Sequence, residues 1–183
     1  MSIGLTGVRR MARGIPIEVS MTAERHRLVR ERSRISVEID LIDEWCQALH
    51  PKYFTSPQSD SPEIDGIEFD VHLTEGTLFE NSTVRLEMVI PDGYPSEIPR
   101  IYVPGLVYPQ HYNSKAHMYR DRNDDIHMCI FFPEDWTEDH TLAGMMIRST
   151  IWINKYVEFK RTGVWPGKGQ AHCSRCGNRV CEC

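Results

Sequence analysis

The sequence lacks long hydrophobic runs and any excess of positive charge. Its 183 residues are 40% hydrophobic and carry a formal net charge of -5. No stretch approaches the roughly 20 apolar residues of a membrane-spanning helix, and the basic N-terminus is not followed by the apolar core of a signal peptide. These absences argue against a membrane or secreted protein and predict a cytoplasmic one. The length suits one compact domain with appendages.

A glycine-rich phosphate-binding loop and a recognised nucleic-acid-binding motif are also missing. Residues 1–34 hold eight arginines against three glutamates, whereas the rest of the chain is acidic. A basic segment of this kind could contact nucleic acid or an acidic partner, but a chain of this net charge has no broad basic face. We therefore expect a flexible, solvated leader over residues 1–22 and no direct contact with nucleic acid.

Hydrophobic periodicity predicts two helices and a sheet. Apolar stripes at helical spacing cover residues 28–49 and 141–161. Between them, apolar residues alternate with polar ones over residues 67–73 and 84–90, and residues 101–103 form a further short apolar run. The pattern predicts an α+β protein in which a meander of three to four antiparallel strands packs with an N-terminal helix and C-terminal helices.

A long segment without periodicity, residues 104–128, precedes a cysteine. A loop of that length inside a compact domain is usually functional, and this one contains His111, His117 and His127. Surface or capping roles for these histidines are as well supported as catalysis. Cys129 itself opens an apolar patch, where composition alone favours a buried structural thiol.

The six cysteines fall into separate groups. In a chain without a secretion signal, thiols or metal ligands are favoured over disulfides. Cys46 lies on the first apolar stripe, which assigns it to the core. Four more crowd into a cysteine-rich tail over residues 166–183: Cys173, Cys176, Cys181 and Cys183.

The tail predicts a structural zinc site. Cys173-x-x-Cys176-Gly resembles a zinc knuckle, and a tetrahedral site needs four nitrogen or sulfur ligands, which the four tail cysteines can supply. His172 is a fifth candidate ligand. The alternative is a redox-sensitive tail without metal. Neither interpretation gives zinc a part in catalysis, for which no cofactor is expected.

The order of elements and two local motifs resemble the ubiquitin-conjugating enzymes. The motifs are a proline-rich turn at residues 91–95 and Cys129 followed seven residues later by Trp136. The His-Pro-Asn triplet that usually precedes the cysteine in that family is absent. Residues 116–121 and 129–136, with the late stretch 158–167, resemble instead the bacterial branch, whose members occur in CBASS anti-phage operons beside a cGAS-like cyclic-oligonucleotide synthase.

This resemblance implies a ubiquitin-conjugating-enzyme-like domain over residues 23–165. It implies that Cys129 carries a protein C-terminus as a thioester and passes it to an amine, with the cGAS-like synthase or a ubiquitin-like protein as partner. Acyl transfer builds negative charge on an oxygen, and we expect His117 to support that charge. On an extended strand, His127 would share a face with Cys129, whereas on a turn it need not.

Two other functions compete with the transferase. One is a non-catalytic scaffold of the same fold that binds the synthase or a ubiquitin-like protein. The missing triplet favours the scaffold, whereas the retained Cys129 favours the transferase. The other is a Cys-His hydrolase, which is disfavoured because neither a third orienting group nor an oxyanion site can be located in the sequence.

Overall fold

The computed structural model of the protein describes residues 8–10, 16–29, 33–55, 64–73 and 82–167. The helices are α1 (Ala23–Val29), α2 (Arg34–Trp45) and α3 (Leu142–Thr162). The strands are β1 (Val8–Arg10), β2 (Pro16–Val19), β3 (Lys52–Phe54), β4 (Gly66–His72), β5 (Thr83–Val89), β6 (Arg100–Val107), β7 (Met118–Arg120) and β8 (Asp125–Met128). Short 3-10 turns cover Gln47–Leu49, Ser114–Ala116 and Pro133–Asp135.

The main sheet has six antiparallel strands in the order β3-β4-β5-β6-β8-β7. The predicted alternation on β4 and β5 is confirmed, because Ile67 pairs with Met88 and Phe69 with Leu86, and all four side chains are buried. The predicted count of three to four strands was too low. The strands it missed, β3, β7 and β8, have only three or four residues each, too few to display a period.

The segment predicted as an irregular loop, residues 104–128, is more ordered than expected. Strand β6 runs through Pro104 and Gly105 as far as Val107, and β7 and β8 form an antiparallel pair at the edge of the sheet. Gly105 has a φ of 90°, a backbone conformation that glycine adopts without steric cost. The strands thus continue up to the residue before Cys129.

The single N-terminal helix predicted over residues 28–49 is wrong. The structure has two helices, and the side chain of Ser33 caps the start of α2 by accepting a hydrogen bond from the Ser36 amide at 3.2 Å. The stripe nevertheless faces the core, where Ile42 and Cys46 are buried. The assignment of Cys46 to the core is confirmed, since 1% of it is exposed.

Helix α3 matches its prediction closely. Thr141 caps its start by accepting a hydrogen bond from the Gly144 amide, and Gly163, with a φ of 72°, ends it. The predicted apolar positions are all buried: Leu142, Met145, Met146, Ser149, Trp152, Ile153, Tyr156 and Phe159. Helix α3 lies beside residues 129–132, which we call the cysteine segment, since Arg148 of α3 is 4.6 Å from the centroid of the Phe131 ring.

Residues 1–22, predicted as a flexible leader, include an antiparallel pair, β1 with β2. The chain that leaves β2 is attached to the entry of α3, because the Met21 amide donates to the Asp139 carbonyl at 2.9 Å and Ser20 forms a β-bridge with His140. Strands of three and four residues carry too few side chains for a period to reveal them.

A charged side chain lies wholly inside the core. Glu38 of α2 is 0% exposed. Its carboxylate accepts hydrogen bonds from Arg34, from the Tyr94 hydroxyl and from the Leu142 amide at the start of α3. This network joins α2, the proline-rich turn and α3.

Candidate active site

Strands β7 and β8 bring two of the predicted catalytic residues together. Their register pairs Met118 with Met128 and Tyr119 with His127. One step further along the pair, the Cys129 amide donates to the His117 carbonyl at 2.9 Å. His117 and Cys129 are thus opposite each other, although eleven residues lie between them in the sequence.

Helix α3 fixes this end of the strand pair. The Trp152 indole also donates to the His117 carbonyl, at 2.9 Å. His117 has a φ of 52°, in the left-handed region that few non-glycine residues adopt. Its ring lies 5.0 Å from the ring of Trp165, which follows α3. Two hydrogen bonds therefore fix the backbone carbonyl of His117, and Trp165 packs against its ring.

Cys129 and His117 line the same open cleft, of about 320 Å³. The remaining walls come from the cysteine segment, from α3 and from the residues after it: Ile130, Arg148, Ile151, Trp152, Lys155 and Trp165. The cleft combines apolar and aromatic walls with two cationic side chains. It offers the thiol a solvent-accessible approach, and its cationic groups suit an oxygen that gains negative charge.

Tyr119 is a site residue that the sequence analysis missed. Its hydroxyl donates to the Phe131 carbonyl at 3.2 Å and is hydrogen-bonded to the Cys129 side chain. Tyr119 lies two residues after His117, on a strand that shows no period in the sequence. The sequence signals for it are this proximity to His117 and its place within residues 116–121, one of the stretches that resemble the bacterial branch.

His127 lies elsewhere. It lines a second cleft, of about 750 Å³, and its ring is between those of Tyr102 and Tyr119, at 5.7 and 5.3 Å. Burial, with a smaller contribution from Arg100, lowers the pKa of His127 to about 4. The expected shared face with Cys129 is not formed, because β8 ends at Met128 and the alternation stops there.

His111 has a capping role. Its Nδ1 accepts a hydrogen bond from the Val107 amide at 3.0 Å, at the end of β6. Of the two roles considered for this histidine, catalysis and capping, the contact fits capping.

The Cys129 thiol is protonated at neutral pH. Its pKa is raised to about 11, mainly by burial. The Tyr119 hydroxyl lowers the pKa and the charge of Glu134 raises it, both by smaller amounts. About one molecule in 10⁴ therefore carries the thiolate at pH 7. A thiol of high pKa is a poor leaving group, so an acyl group on it would exchange slowly with solvent thiols.

This pKa predicts the pH dependence of alkylation. The rate at which iodoacetamide modifies Cys129 should rise about tenfold for each pH unit above 7 and level off only near pH 11, because the thiolate is the nucleophile. Peptide mass spectrometry of the native protein measures this rate for each cysteine separately. Cys46, buried and with a pKa raised to about 12, is the internal control and should remain unmodified. A plateau below pH 9 would contradict the prediction.

The predicted zinc ligands Cys173, Cys176, Cys181 and Cys183 lie outside the described residues, so the zinc site stays a prediction. Within the described part of the chain, no group of three or more His, Cys, Asp or Glu side chains could hold a metal ion. No helix among the described residues is long and apolar enough to span a membrane.

Matches to known proteins include a family model, a solved structure and a curated relative. A family model described as "Type II CBASS E2 protein" matches residues 55–173. A ubiquitin conjugating enzyme E2 from Plasmodium falciparum has a TM-score of 0.44 and 17% identity, over 66% of this chain and 96% of that one. A curated relative from Chlorobaculum parvum, named membrane protein insertase YidC, is 30% identical over 114 residues. That match covers 62% of this chain but 18% of the relative's length.

The family model spans more than half of the chain and includes the entire site, from His117 and Tyr119 to Cys129 and the start of α3. It confirms the resemblance to bacterial ubiquitin-conjugating-enzyme-like proteins. Together with the antiparallel sheet and its helices, it also confirms the expected α+β fold class. The chain belongs to the family of Type II CBASS E2 proteins.

Proposed function

We propose that this protein is a cysteine-thioester acyltransferase. It carries a protein C-terminus on Cys129 and passes it to an amine, and its partner is the cGAS-like cyclic-oligonucleotide synthase of a CBASS operon or a ubiquitin-like protein. The observation that carries the proposal is the placement of the Cys129 thiol in an open cleft beside His117, with the Tyr119 hydroxyl hydrogen-bonded to it. The family supports the conjugating chemistry and the operon.

The loading step forms a carbon–sulfur bond. The Cys129 sulfur attacks an activated C-terminal carbonyl, the thiol proton passes to solvent, and the activating group, an adenylate or a carrier thiol, departs. Because burial keeps the thiol protonated at neutral pH, removal of its proton is a required part of the loading step. When the sulfur loses its proton, the Tyr119 hydroxyl turns from the Phe131 carbonyl and donates to the sulfur instead, which favours the thiolate.

The transfer step breaks the same bond. An amine attacks the thioester carbonyl, the oxygen gains negative charge, and the Cys129 thiolate then leaves and takes up a proton released by the amine. His117 is the residue of the cleft nearest to Cys129 along the strand pair, and its ring is the donor we assign to that oxygen. Arg148 and Lys155 add positive charge on the α3 side.

A second candidate is a scaffold that binds the synthase without acyl transfer. The absence of the His-Pro-Asn triplet and the raised pKa of the Cys129 thiol favour it. The open position of the thiol favours the transferase, because a purely structural cysteine such as Cys46 is fully enclosed.

Intact-mass spectrometry separates the two functions. The protein is expressed with its operon neighbours and purified without reductant, as wild type, as Cys129→Ala and as the control Cys46→Ala. We expect an adduct with the mass of a neighbouring protein in the wild type and in Cys46→Ala, removed by hydroxylamine and absent from Cys129→Ala. Hydroxylamine cleaves thioesters and leaves disulfides intact, which identifies the bond.

An unmodified chain in all three samples, also when an activating enzyme is supplied, would contradict the transferase. Co-purification of the synthase with both cysteine variants would then favour the scaffold.

A further inference from the structure

The second cleft, in which His127 lies, is rich in arginine. Three arginines line it: Arg100 of β6, Arg120 at the end of β7 and Arg122 of the β7–β8 connection, with one carboxylate, Asp121, among them. We call it the arginine cleft. It is the larger of the two clefts beside the cysteine segment, at about 750 Å³ against about 320 Å³.

The carboxylate of Asp121 is already engaged. Its Oδ1 accepts the amides of Asn123 at 2.8 Å and Asp125 at 3.0 Å. Its Oδ2 accepts the Tyr102 hydroxyl at 3.4 Å and is 3.8 Å from Arg100. Asp121 thus closes the β7–β8 connection and offsets one arginine of the three.

Of the other two guanidinium groups, Arg120 is paired with an exposed carboxylate and Arg122 has no ion pair among the described residues. Arg120 is 3.5 Å from the exposed carboxylate of Asp124 and stacks over the Tyr108 ring, 4.5 Å from its centroid. The pKa of His127, lowered to about 4, leaves that ring neutral at pH 7. The lining of the cleft, with three arginines against Asp121, is therefore net positive, although Asp124 outside it partly offsets Arg120, and the whole chain has a formal net charge of -5.

The arginine cleft adjoins the nucleophile. Tyr119 lines the arginine cleft, and its hydroxyl is hydrogen-bonded to the Cys129 side chain. Ile130, the residue after Cys129, lines both clefts. The arginine cleft is therefore next to any polypeptide that is bound through its terminal carbonyl to the Cys129 sulfur.

We propose that the arginine cleft binds an acidic segment of the protein whose C-terminus Cys129 carries. The proposal rests on the acyltransferase function and adds the chemistry by which the donor is recognised. Guanidinium groups bind carboxylates through paired hydrogen bonds, and three of them in one cleft favour a run of glutamate or aspartate side chains. The apolar walls, such as Ile98 and Pro133, suit a peptide backbone.

Single-stranded nucleic acid fits the cleft less well. Its binding depends on aromatic rings that are free to stack with bases. Here the His127 ring is instead packed between the rings of Tyr102 and Tyr119, in tilted contacts at 5.7 and 5.3 Å. The negative charge of the whole chain also opposes a polyanion more strongly than a short acidic peptide.

Fluorescence anisotropy tests the proposal on the full chain carrying Cys129→Ala, which removes acyl chemistry from the measurement. The probe is a fluorescein-labelled peptide of six glutamates followed by two glycines, compared with the same peptide containing glutamines. We expect the glutamate peptide to bind at least about tenfold more tightly and to weaken as the salt concentration rises from about 50 to about 300 mM.

The triple variant Arg100→Gln, Arg120→Gln and Arg122→Gln should lower the affinity for the glutamate peptide at least about tenfold. The matched control is Arg85→Gln with Arg161→Gln, because both of these arginines are about half exposed and lie outside the cleft. This control should leave the affinity unchanged. Equal melting temperatures show that all variants are folded.

Three outcomes would overturn the proposal: equal binding of the two peptides, an unchanged affinity in the triple variant, or tighter binding of a labelled oligothymidylate. Each can be told from failure of the acyltransferase function. A hydroxylamine-sensitive adduct on Cys129 without peptide binding rejects only the arginine cleft, whereas peptide binding without an adduct rejects only the acyl transfer.

Discussion

Replacing Glu38 by alanine is expected to lower the free energy of unfolding by about 3–5 kcal/mol, as breaking a buried ion pair typically does. The Glu38 carboxylate is fully buried and lies 2.6 Å from the Arg34 guanidinium, whose side chain is 11% exposed. The Tyr94 hydroxyl donates to it at 2.5 Å and the Leu142 amide at 3.0 Å. Alanine leaves all three donors without this acceptor and leaves a cavity between α2 and α3.

Two matched variants separate the parts of this network. Glu38→Gln keeps the volume and one acceptor oxygen, so we expect a smaller loss, of about 1–3 kcal/mol. Tyr94→Phe removes one hydrogen bond to a charged group and should cost about 1.5–3 kcal/mol. Urea denaturation followed by tryptophan fluorescence measures all three. A loss below about 1 kcal/mol for Glu38→Ala would show that water replaces the carboxylate at little cost.

The Glu38 network also supports the site. Its Leu142 contact is at the start of α3, and the Trp152 indole on the same helix holds the His117 carbonyl. We therefore expect the Glu38 variants to be folded at moderate temperature but to have a lower free energy of unfolding. They should lose activity only when α3 is displaced.

The sequence predicted the long elements well and the short ones poorly. Strands β4 and β5 and helix α3 each bury one face over seven or more residues, so their apolar periods are visible. Strands β7 and β8 have three and four residues, and their position is set by pairing with each other and with β6. No local pattern encodes that pairing. The break between α1 and α2 was missed because the apolar stripe continues across it.

The candidate site shows the same division. Cys129 was found from its position among the motifs, although composition alone assigns it to the core. His117 was found as a nearby group, and the register of β7 and β8 places it opposite Cys129. Tyr119 and the arginine cleft could not be predicted, because Arg100 joins Arg120 and Arg122 only through the pairing of β6 with β8.

Replacing His117 by alanine is expected to slow transfer from the Cys129 thioester to an amine by about 10²–10³-fold, the usual effect of removing one oxyanion donor. Loading should be affected less, because its rate depends on deprotonation of the thiol. A synthetic peptide thioester is expected to load Cys129 by thiol exchange without any activating enzyme, with the thiol of the reagent as the leaving group. Intact-mass spectrometry then follows formation of the adduct and, after addition of free lysine, its loss.

Two variants make this test specific. His117→Asn keeps an N–H donor and tolerates the φ of 52°, since asparagine is among the residues enriched in the left-handed region, so it should transfer faster than His117→Ala. Tyr119→Phe removes the hydrogen bond that lowers the pKa of the Cys129 thiol, and should slow loading by about two- to tenfold, the effect of one hydrogen bond.

If His117→Ala slows mainly transfer and Tyr119→Phe slows mainly loading, the two side chains act in different steps. His117 would then stabilise the oxygen during transfer, and Tyr119 would assist deprotonation during loading. If His117→Ala slows both steps equally and His117→Asn does not restore transfer, the ring of His117 only shapes the cleft together with Trp165. The oxyanion must then be stabilised by Arg148 or Lys155, whose substitution would slow transfer in its place.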